Sequence, residues 1–357
     1  MSNKHKLLEI SKVLIMWYEE NQRSLPWRES NDPYKIWISE IILQQTRVAQ
    51  GLNYYFRFIE RFPTISKLAA SSEEDVLKEW QGLGYYSRAR NLHAAAKAVI
   101  NNYGGVLPDS HKELLSLKGI GEYTAAAILS TAYNKPYAVV DGNVYRVLSR
   151  LFALDTPIDT SIGKKQFAQL AKDLLDVDNP GIHNQALMEF GALHCTPAQP
   201  QCNTCPIGHL CVAKQINKQS HFPVKDKKTK IRKRYFHYFR VVVNGYTYLN
   251  KRIENDIWKN MYDFPLIETD KDMTFFELSE TSAFKTLFSD SEVTFFINQK
   301  QVKHVLTHQH IYANFHEVTV TKIASNFQNN FLKVKNKDVH KYPISRLIHR
   351  YLERISH

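Results

Sequence analysis

The chain has 357 residues, which is longer than one ordinary domain and favours two. It has 43% hydrophobic and 23% charged residues, without a repeat or a low-complexity tract, and this composition excludes disordered and fibrous classes. The net charge of +12 favours a polyanionic partner, nucleic acid before membrane, although the alternative that excess lysine only keeps the protein soluble stays open.

The N-terminal half shows helical periodicity almost throughout. Met1 to Asn21 predicts a charged amphipathic helix without a signal-peptide core, and no apolar run reaches membrane-spanning length. We therefore expect a soluble protein of the cytoplasm, in the bacterial cytosol or nucleoid. Helical patterns, separated by Pro and Gly turns, cover residues 5–20, 34–61, 73–80, 87–102, 111–117, 122–133, 143–152, 163–176 and 184–193. They predict an all-α domain over residues 1–214.

The C-terminal part has a different pattern. Residues 215–234 are rich in Lys, Arg and Thr and predict a basic linker, in which Lys227 and Lys228 are two of the charges. Strand-forming runs then cover 235–243 and 311–320, the dipeptide Asn244-Gly245 predicts a tight hairpin, and residues 344–355 have helical spacing. A smaller α+β domain over residues 235–357 is predicted.

Glu40 is the most informative carboxylate of the sequence. It lies in Ile36-Trp37-Ile38-Ser39-Glu40-Ile41-Ile42-Leu43, a helix that is apolar on nearly every side. Burying an unpaired ionised carboxylate there would cost several kcal/mol, so a raised pKa is expected. A partly buried Glu of this kind suits a general acid near neutral pH. The alternative is that Glu40 occupies a narrow solvated face.

Asp141 begins a helix in the run Val140-Asp141-Gly142-Asn143-Val144. Either Asp141 or Asn143 could simply cap that helix. In the functional interpretation, Asp141 stays ionised at the helix N-terminus and faces a developing positive charge. A protected acid and a second carboxylate in a different environment form the usual pair for breaking a glycosidic bond.

A glycine-rich turn, Leu117-Lys118-Gly119-Ile120-Gly121, joins two helical segments. Side chains at Gly119 and Gly121 are expected to obstruct this turn. Backbone N–H groups at such a helix start can bind phosphate, and a tight helix–helix connection is the alternative.

The four cysteines lie close together in the chain, at Cys195, Cys202, Cys205 and Cys211. This clustering favours a metal site over disulfides. Zinc sites usually have two closely spaced pairs, whereas only Cys202 and Cys205 are so spaced here. We therefore favour a [4Fe-4S] cluster, with zinc as the alternative.

Taken together, these motifs resemble the helix-hairpin-helix glycosylases of the endonuclease III superfamily, and within it the adenine DNA glycosylase (MutY) family. The similarity covers residues 1 to about 213. The resemblance rests on Leu25-Pro26-Trp27-Arg28, Ser39-Glu40, Leu43-Gln44-Gln45-Thr46, Gly82-Leu83-Gly84-Tyr85-Tyr86 and Val140-Asp141-Gly142-Asn143-Val144. It implies excision of adenine mispaired with 8-oxoguanine or guanine, after the base has been flipped out of double-stranded DNA.

The resemblance also implies roles for individual residues. Glu40 matches the acid that protonates adenine at N7, Asp141 the carboxylate that stabilises the cationic sugar at C1′, and Asn143 a residue that orients this site. Further matches are the DNA-contacting positions Gln45, Thr46, Leu83, Tyr85 and the hairpin residues Lys118, Gly119 and Gly121, together with the adenine-pocket positions Arg23, Trp27 and Gln185. For the last three, packing or a surface contact is the alternative.

Tyr123 distinguishes between subfamilies. Bifunctional enzymes similar to endonuclease III have a Lys here, whose amine forms a Schiff base with the sugar, and tyrosine cannot do this. We therefore expect a monofunctional enzyme. As a separate expectation, the protein acts as a monomer. The alternatives are a pyrimidine or mismatch glycosylase similar to endonuclease III, and a non-catalytic iron–sulfur DNA-binding protein.

The C-terminal domain resembles the Nudix-like lesion-recognition domain of the same family. A catalytic Nudix box is missing from the sequence, so we expect this domain to bind and not to hydrolyse. The run His304-Val305-Leu306-Thr307-His308 falls where the family usually has a Phe-Ser-His reading loop. Thr307 keeps a hydroxyl that can bond the lesion base, and His308 matches the loop histidine. A plain strand with surface histidines is the alternative.

Overall fold

The computed structural model describes residues 3–226, 230–297 and 301–355. These residues form two compact units. The first contains the described parts of Met1–Ala70 and Asn91–Lys227, and the second those of Ser71–Arg90 and Lys228–His357. Within the described residues, the helices are all too short or too polar to cross a membrane.

The chain up to the basic segment is helical, as predicted. The helices are α1 (Asn3–Asn21), α2 (Pro33–Leu43), α3 (Val48–Arg61), α4 (Ile65–Ala70), α5 (Glu73–Glu79), α6 (Ser87–Tyr103), α7 (His111–Ser116), α8 (Glu122–Tyr133), α9 (Gly142–Phe152), α10 (Ser161–Leu174), α11 (Pro180–Leu193) and α12 (Val212–Gln215). The single helix predicted over 34–61 is wrong. The chain leaves the helical conformation between α2 and α3, where Gln45 adopts a left-handed φ of 56°.

The largest core of the helical unit lies between α1, α9, α10 and α11. Leu14, Leu148, Phe167 and Phe190 are completely or almost completely buried there. These helices also have local start signals: the Asp141 side chain caps α9, and the Thr160 hydroxyl accepts a hydrogen bond from the Gly163 amide at the start of α10. Packing of the amphipathic faces of α9 and α10 then holds both helices in place.

The second unit contains an eight-stranded mixed sheet. Its strands are β1 (Arg232–Val243), β2 (Tyr246–Lys251), β3 (Tyr262–Asp263), β4 (Leu266–Thr269), β5 (Glu292–Ile297), β6 (Val302–Val305), β7 (Gln309–Lys322) and β8 (Leu332–Lys335). Its helices are α5 together with α13 (Phe275–Ser279), α14 (Ser282–Leu287), α15 (Ser325–Asn330) and α16 (Arg346–Ile355). The predicted hairpin at Asn244-Gly245 and the predicted terminal helix are confirmed.

The sheet order is β3-β2-β1-β7-β5, in which β4 also pairs with β1, β6 with β7 and β8 with β2. The central strands β1 and β7 run parallel, and all other pairs are antiparallel. Strand β1 begins inside the segment predicted as a linker, while Lys227 and Lys228 lie outside the described residues. The domain boundaries that the sequence suggests stay a prediction.

Candidate active site

Glu40 lies on α2, and the N-terminus of this helix has a capping residue followed by a proline. The Tyr34 amide donates to the Asp32 carboxylate at 2.9 Å, and Pro33 occupies the first helical turn. The Glu40 side chain is buried, with 8% of the residue exposed. Its pKa is raised to about 7, chiefly by burial and to a smaller extent by the nearby Asp141 charge, although a hydrogen bond from Tyr123 and the charge of Arg28 act in the opposite direction. The raised pKa expected from the sequence is therefore present.

Tyr123 lies in the first turn of α8, and its phenol donates a hydrogen bond to the Glu40 carboxylate. Its hydroxyl also lies 3.6 Å from the Met188 sulfur. Burial, together with the Glu40 and Asp141 charges, holds the pKa of the phenol well above its usual value. Tyr123 is thus a neutral phenol next to the Glu40 carboxyl.

Asp141 is both a helix cap and a member of the site. Its carboxylate accepts the Val144 amide at 2.7 Å and the Asn143 side-chain amide at 2.8 Å. Burial raises its pKa, against the lowering effects of these two hydrogen bonds and of the Arg146 charge. The two interpretations of Asp141 are therefore compatible, because the capping carboxylate also faces a cavity.

That cavity lies between α2, α8 and the start of α9. Its volume is about 360 Å³, and its lining residues are Glu40, Leu43, Gln44, Gln45, Tyr123, Val140, Asp141 and Gly142. Pockets for small organic ligands usually fall between about 300 and 1,000 Å³. Two carboxyl groups and a phenol, drawn from three helices distant in sequence, therefore face one space of suitable size.

Asn143 is held by an arginine that the sequence analysis missed. Arg146 Nη2 donates to the Asn143 side-chain oxygen at 2.7 Å and to the Gly191 carbonyl at 2.6 Å, and Arg146 Nε donates to the Cys195 carbonyl at 2.8 Å. A Cβ on Gly191 would lie 2.7 Å from the Asn143 Cβ, so α9 and α11 approach closely here. The available signal was the spacing of three residues between Asn143 and Arg146 on one helix face.

Arg23 and Gln185 belong to a second network, centred on the almost completely buried Glu189. Arg23 and Arg28 both bond the Glu189 carboxylate, at 2.6 and 2.9 Å, and Arg28 Nε donates to Gln185 at 3.2 Å. Burial alone would raise the pKa of Glu189, but the hydrogen bonds from the two arginines outweigh it and lower the pKa to about 2. Trp27 is buried, and its ring packs edge-on to Tyr55 at 5.2 Å.

These three predicted pocket residues are not among the residues that line the cavity in the described part of the chain. The sequence analysis did not identify Glu189 or Arg28 as functional residues. Arg28 nevertheless connects the network with the site, because its charge lowers the pKa of Glu40.

The residues around the predicted DNA hairpin lie in the turn between α7 and α8. Gly119 has a φ of 83°, and a Cβ there would lie 2.9 Å from the Asn91 Cβ, so the turn requires glycine. The same expectation for Gly121 is wrong: its φ is −104°, and a Cβ would contact nothing within 4 Å. Lys118 is exposed. Near the cavity, the Thr46 hydroxyl donates to the Gln44 carbonyl at 3.4 Å, whereas Gln45 lines the cavity itself.

The remaining predicted DNA-contacting residues lie in the second unit. Leu83 is buried at 7% exposure, whereas Tyr85 is 43% exposed and has a left-handed φ of 46°. The Tyr85 hydroxyl is hydrogen-bonded to the Thr307 hydroxyl. Thr307 and His308 are exposed in the loop between β6 and β7. The loop that carries Thr307 and His308 is therefore exposed, as a base-contacting loop must be, whereas Leu83 is buried.

The four cysteines lie near one another and are free thiols. All four line one small cavity with Arg150 and Gly208, and Arg150 Nη1 approaches the Cys195 sulfur at 3.3 Å. Burial raises the pKa of Cys205 to about 11 and that of Cys211 above its usual value. Among the described residues, no three side chains are arranged to hold a single metal ion. All four cysteines nevertheless line the same small cavity, so they could be ligands of one shared metal group.

Two protein-family models match the chain. One describes an HhH-GPD superfamily base excision DNA repair protein and matches residues 38–175, and the other describes a NUDIX domain and matches residues 237–354. An adenine DNA glycosylase of Buchnera aphidicola subsp. Baizongia pistaciae is 34% identical over 321 residues, which cover 89% of this chain and 88% of that protein. The chain belongs to the adenine DNA glycosylase family.

Other proteins are also similar to this chain. The Homo sapiens adenine DNA glycosylase is 40% identical over 60% of this chain and 42% of that protein. A solved thermostable thymine-DNA glycosylase is 29% identical, with a TM-score of 0.57 over 60% of this chain and all of that one. An endonuclease III–DNA complex is 25% identical, with a TM-score of 0.52 over 61% of this chain and 99% of that one.

Membership of this family confirms three predictions: a helix-hairpin-helix domain followed by a Nudix-like domain, an enzyme that hydrolyses N-glycosidic bonds, and a role in base excision repair. It excludes a non-catalytic DNA-binding protein. The NUDIX match also disfavours the alternative of a pyrimidine glycosylase similar to endonuclease III.

Proposed function

We propose that this protein is a monofunctional glycosylase that flips adenine out of a mispair with 8-oxoguanine or guanine and releases it. The observation that carries the proposal is the pairing of Glu40 and Asp141 across one cavity, with the Glu40 pKa raised to about 7. An acid of that strength is about half protonated at neutral pH, which suits proton donation to a leaving base.

Each carboxylate has its own part in the reaction. Protonated Glu40 donates to adenine N7, the bond between C1′ and the base breaks, and its electron pair leaves with the adenine. The negative charge of Asp141 stabilises the cationic sugar that forms. Water then adds to C1′ and returns a proton to Glu40, which leaves an abasic site. Asn143 and Tyr123 orient the two carboxylates through their hydrogen bonds.

The same side chains support a monofunctional mechanism. A bifunctional enzyme needs an amine that forms a Schiff base, and position 123 holds a neutral phenol instead. The high pKa of this phenol also disfavours a phenolate nucleophile. We therefore expect at most weak strand cleavage.

Double-stranded DNA is the proposed partner. Flipping a base costs a few kcal/mol, which phosphate contacts and inserted side chains must offset. The net charge of +12, exposed Lys118, and the open space above Gly121, where a phosphate can approach the start of α8, support this assignment. Gln45 lines the cavity and Thr46 follows it in the chain, and we assign both to DNA contacts. Gly119 is assigned to the shape of the hairpin.

We assign lesion reading to the second unit and adenine binding to the first. Tyr85, Thr307 and His308 are exposed residues that would contact the base opposite adenine, and the buried Leu83 belongs to the same loop as Tyr85. We assign Arg23, Trp27 and Gln185 to adenine binding. Arg23 and Gln185 belong to the Glu189 network, and Trp27 precedes Arg28 in the chain. The charge of Arg28 lowers the pKa of Glu40, which connects this network with the acid. A monomer in the cytoplasm is the state we expect.

We propose that Cys195, Cys202, Cys205 and Cys211 hold a [4Fe-4S] cluster. The cluster would supply four metal–thiolate bonds that fix the loop after α11. Arg146 and Arg150 connect this loop to α9, because both donate to the Cys195 carbonyl. A brown protein whose visible absorption disappears in Cys205→Ala would support the assignment, and a colourless zinc protein would contradict it.

Single-turnover excision from duplexes with adenine opposite 8-oxoguanine, guanine or thymine tests the proposed function. We expect release opposite the first two and none opposite thymine. Glu40→Gln should reduce the rate about 10²- to 10⁴-fold while duplex affinity stays nearly the same. Glu60→Gln, at an exposed position of α3, is the matched control. Equal rates for Glu40→Gln and the unmodified protein would contradict the mechanism.

A further inference from the structure

The segment Ser71–Arg90 lies in the sequence between two parts of the helical unit, yet it packs with the C-terminal residues in the second unit. It contains α5 and the loop Gly82-Leu83-Gly84-Tyr85-Tyr86. We name Ser71–Arg90 the excursion. Its contacts show what holds the exposed Tyr85 side chain in place.

The start of the excursion is fixed by two acidic residues of α5. The Glu74 carboxylate accepts Lys251 Nζ at 2.5 Å and the Tyr262 hydroxyl at 2.8 Å, and Asn260 Nδ2 donates to Glu73 at 2.6 Å. Lys251 and Tyr262 are paired neighbours on β2 and β3. The sheet edge therefore presents two donors side by side to one carboxylate.

The rest of the excursion is fixed at three further points. Arg90 Nη1 donates to the Lys259 carbonyl at 3.1 Å, and the Ile344 amide donates to Gln81 at 3.4 Å. Lys78 Nζ donates to the His340 carbonyl. Both ends of the Tyr85 loop are thus attached to the C-terminal part of the chain.

The backbone of the loop is left-handed at three positions. Gly82 and Gly84 have φ values of 99° and 77°, and Tyr85 has one of 46°, which is costly for a residue with a side chain. At this point the Tyr85 hydroxyl bonds the Thr307 hydroxyl. The left-handed backbone of Tyr85 is maintained only as long as the surrounding contacts hold the loop.

The structure assigns Glu74 as a positioning residue for lesion reading: through Lys251 and Tyr262 it holds the excursion so that Tyr85 stays beside Thr307. This inference rests on the proposed function, because Tyr85 and Thr307 are its lesion readers. Glu74 belongs to the second unit, whereas Glu40 and Asp141 belong to the first. Loss of Glu74 should therefore reduce the preference for 8-oxoguanine without changing the chemical step.

Single-turnover excision by the full-length, cluster-loaded protein tests this inference. Rates are measured at saturating and at limiting enzyme, on duplexes with adenine opposite 8-oxoguanine or guanine. In Glu74→Ala we expect the ratio of the two rates to fall about three- to tenfold, the effect of losing two half-exposed hydrogen bonds. The rate opposite guanine should stay within about twofold of the unmodified protein.

Two further variants separate positioning from folding. Tyr262→Phe removes one donor and keeps the ring, and it should lower the ratio less than Glu74→Ala. The exchange Glu74→Lys with Lys251→Glu restores the ion pair and should recover most of the ratio. Glu280→Ala breaks an exposed Glu–Lys pair of the same unit and should leave the ratio unchanged.

The outcomes distinguish this inference from the proposed function. An unchanged ratio in Glu74→Ala and Tyr262→Phe, or equal losses on both duplexes, would overturn the role of Glu74. If Glu74→Ala does not fold, Tyr262→Phe and the exchanged pair decide by the same criterion. Absence of adenine release by the unmodified protein would instead overturn the proposed function.

Discussion

Arg146 donates a hydrogen bond of 2.7 Å to the side-chain oxygen of Asn143. The same guanidinium also bonds the Cys195 carbonyl, and the amide of Asn143 in turn bonds Asp141. One arginine thus connects the cysteine loop with the carboxylate that faces the cavity.

Replacing Arg146 should therefore impair catalysis. Arg146→Gln removes hydrogen bonds from a buried charged group, each worth about 1.5–3 kcal/mol. Without these hydrogen bonds Asn143 and Asp141 should be held less well in place, and the single-turnover rate should fall about 10- to 100-fold. Cluster content, measured by visible absorption, separates this effect from loss of the loop. Lys165→Gln, at an exposed position of α10, is the control, and an unchanged rate in Arg146→Gln would contradict the connection.

The rate of adenine release should depend on pH through Glu40. The acid is active when protonated, and its pKa is raised to about 7. The rate should therefore be constant below this pKa and fall about tenfold per pH unit above it. Tyr123→Phe removes the hydrogen bond that lowers the pKa, so the decline should move to higher pH. A decline at unchanged or lower pH in this variant would show that Tyr123 does not act on Glu40.

Tyr123→Lys should add a second activity. The new amine would lie next to the cavity that holds the sugar, and burial lowers the pKa of an amine toward the range in which it is a nucleophile. Borohydride reduction should then trap a covalent protein–DNA product, which the unmodified protein should not form. Tyr123→Phe, which has no amine, is the control. No trapped product would weaken the assignment of position 123.

The stability of the second unit should decrease in mild acid because of His316. This side chain is buried beside His237, with their ring centroids 5.9 Å apart, and its ring nitrogens have no hydrogen-bond partner among the described residues. Burial, and secondarily the neighbouring His237, lower the pKa of His316 from 6.5 to about 4.

The direction of this pH dependence follows from proton uptake. Below pH 6.5 the unfolded chain binds a proton that the folded chain does not bind until about pH 4, so the free energy of unfolding falls as the pH falls through this range. Each pH unit costs at most about 1.4 kcal/mol. Denaturant unfolding of His316→Phe should show a smaller pH dependence over this range than the unmodified protein. An identical pH dependence would contradict the role of His316.

Local sequence features identified most helix positions and several candidate residues. Alternating and helical periodicity located α1, β1 and α16, and the apolar sequence around Glu40 indicated its raised pKa. The dipeptide Asn244-Gly245 defined a hairpin because only a few residues tolerate two left-handed positions in a row. The different environments of Glu40 and Asp141 suggested that they act as a pair, and the family motifs then implied a role for each.

Other features depended on contacts between residues far apart in the chain. Periodicity describes which face of an element is buried, but not which partner covers it. For this reason the sequence did not reveal that Glu189 holds Arg23 and Arg28, or that Arg146 connects Asn143 with Cys195. It also placed the break between α2 and α3 inside a helix, because Gln45 is left-handed without being glycine.

The sequence by itself determined the two kinds of domain, the acidic and cysteine motifs, and the family to which they belong, because these features are local in the chain. Only the tertiary structure decided that Tyr123 bonds Glu40, that a side chain at Gly121 would meet no neighbouring atom, and that residues 71–90 pack with the C-terminal part. Each of these depends on burial and on distances between side chains, which are set when the chain folds on itself.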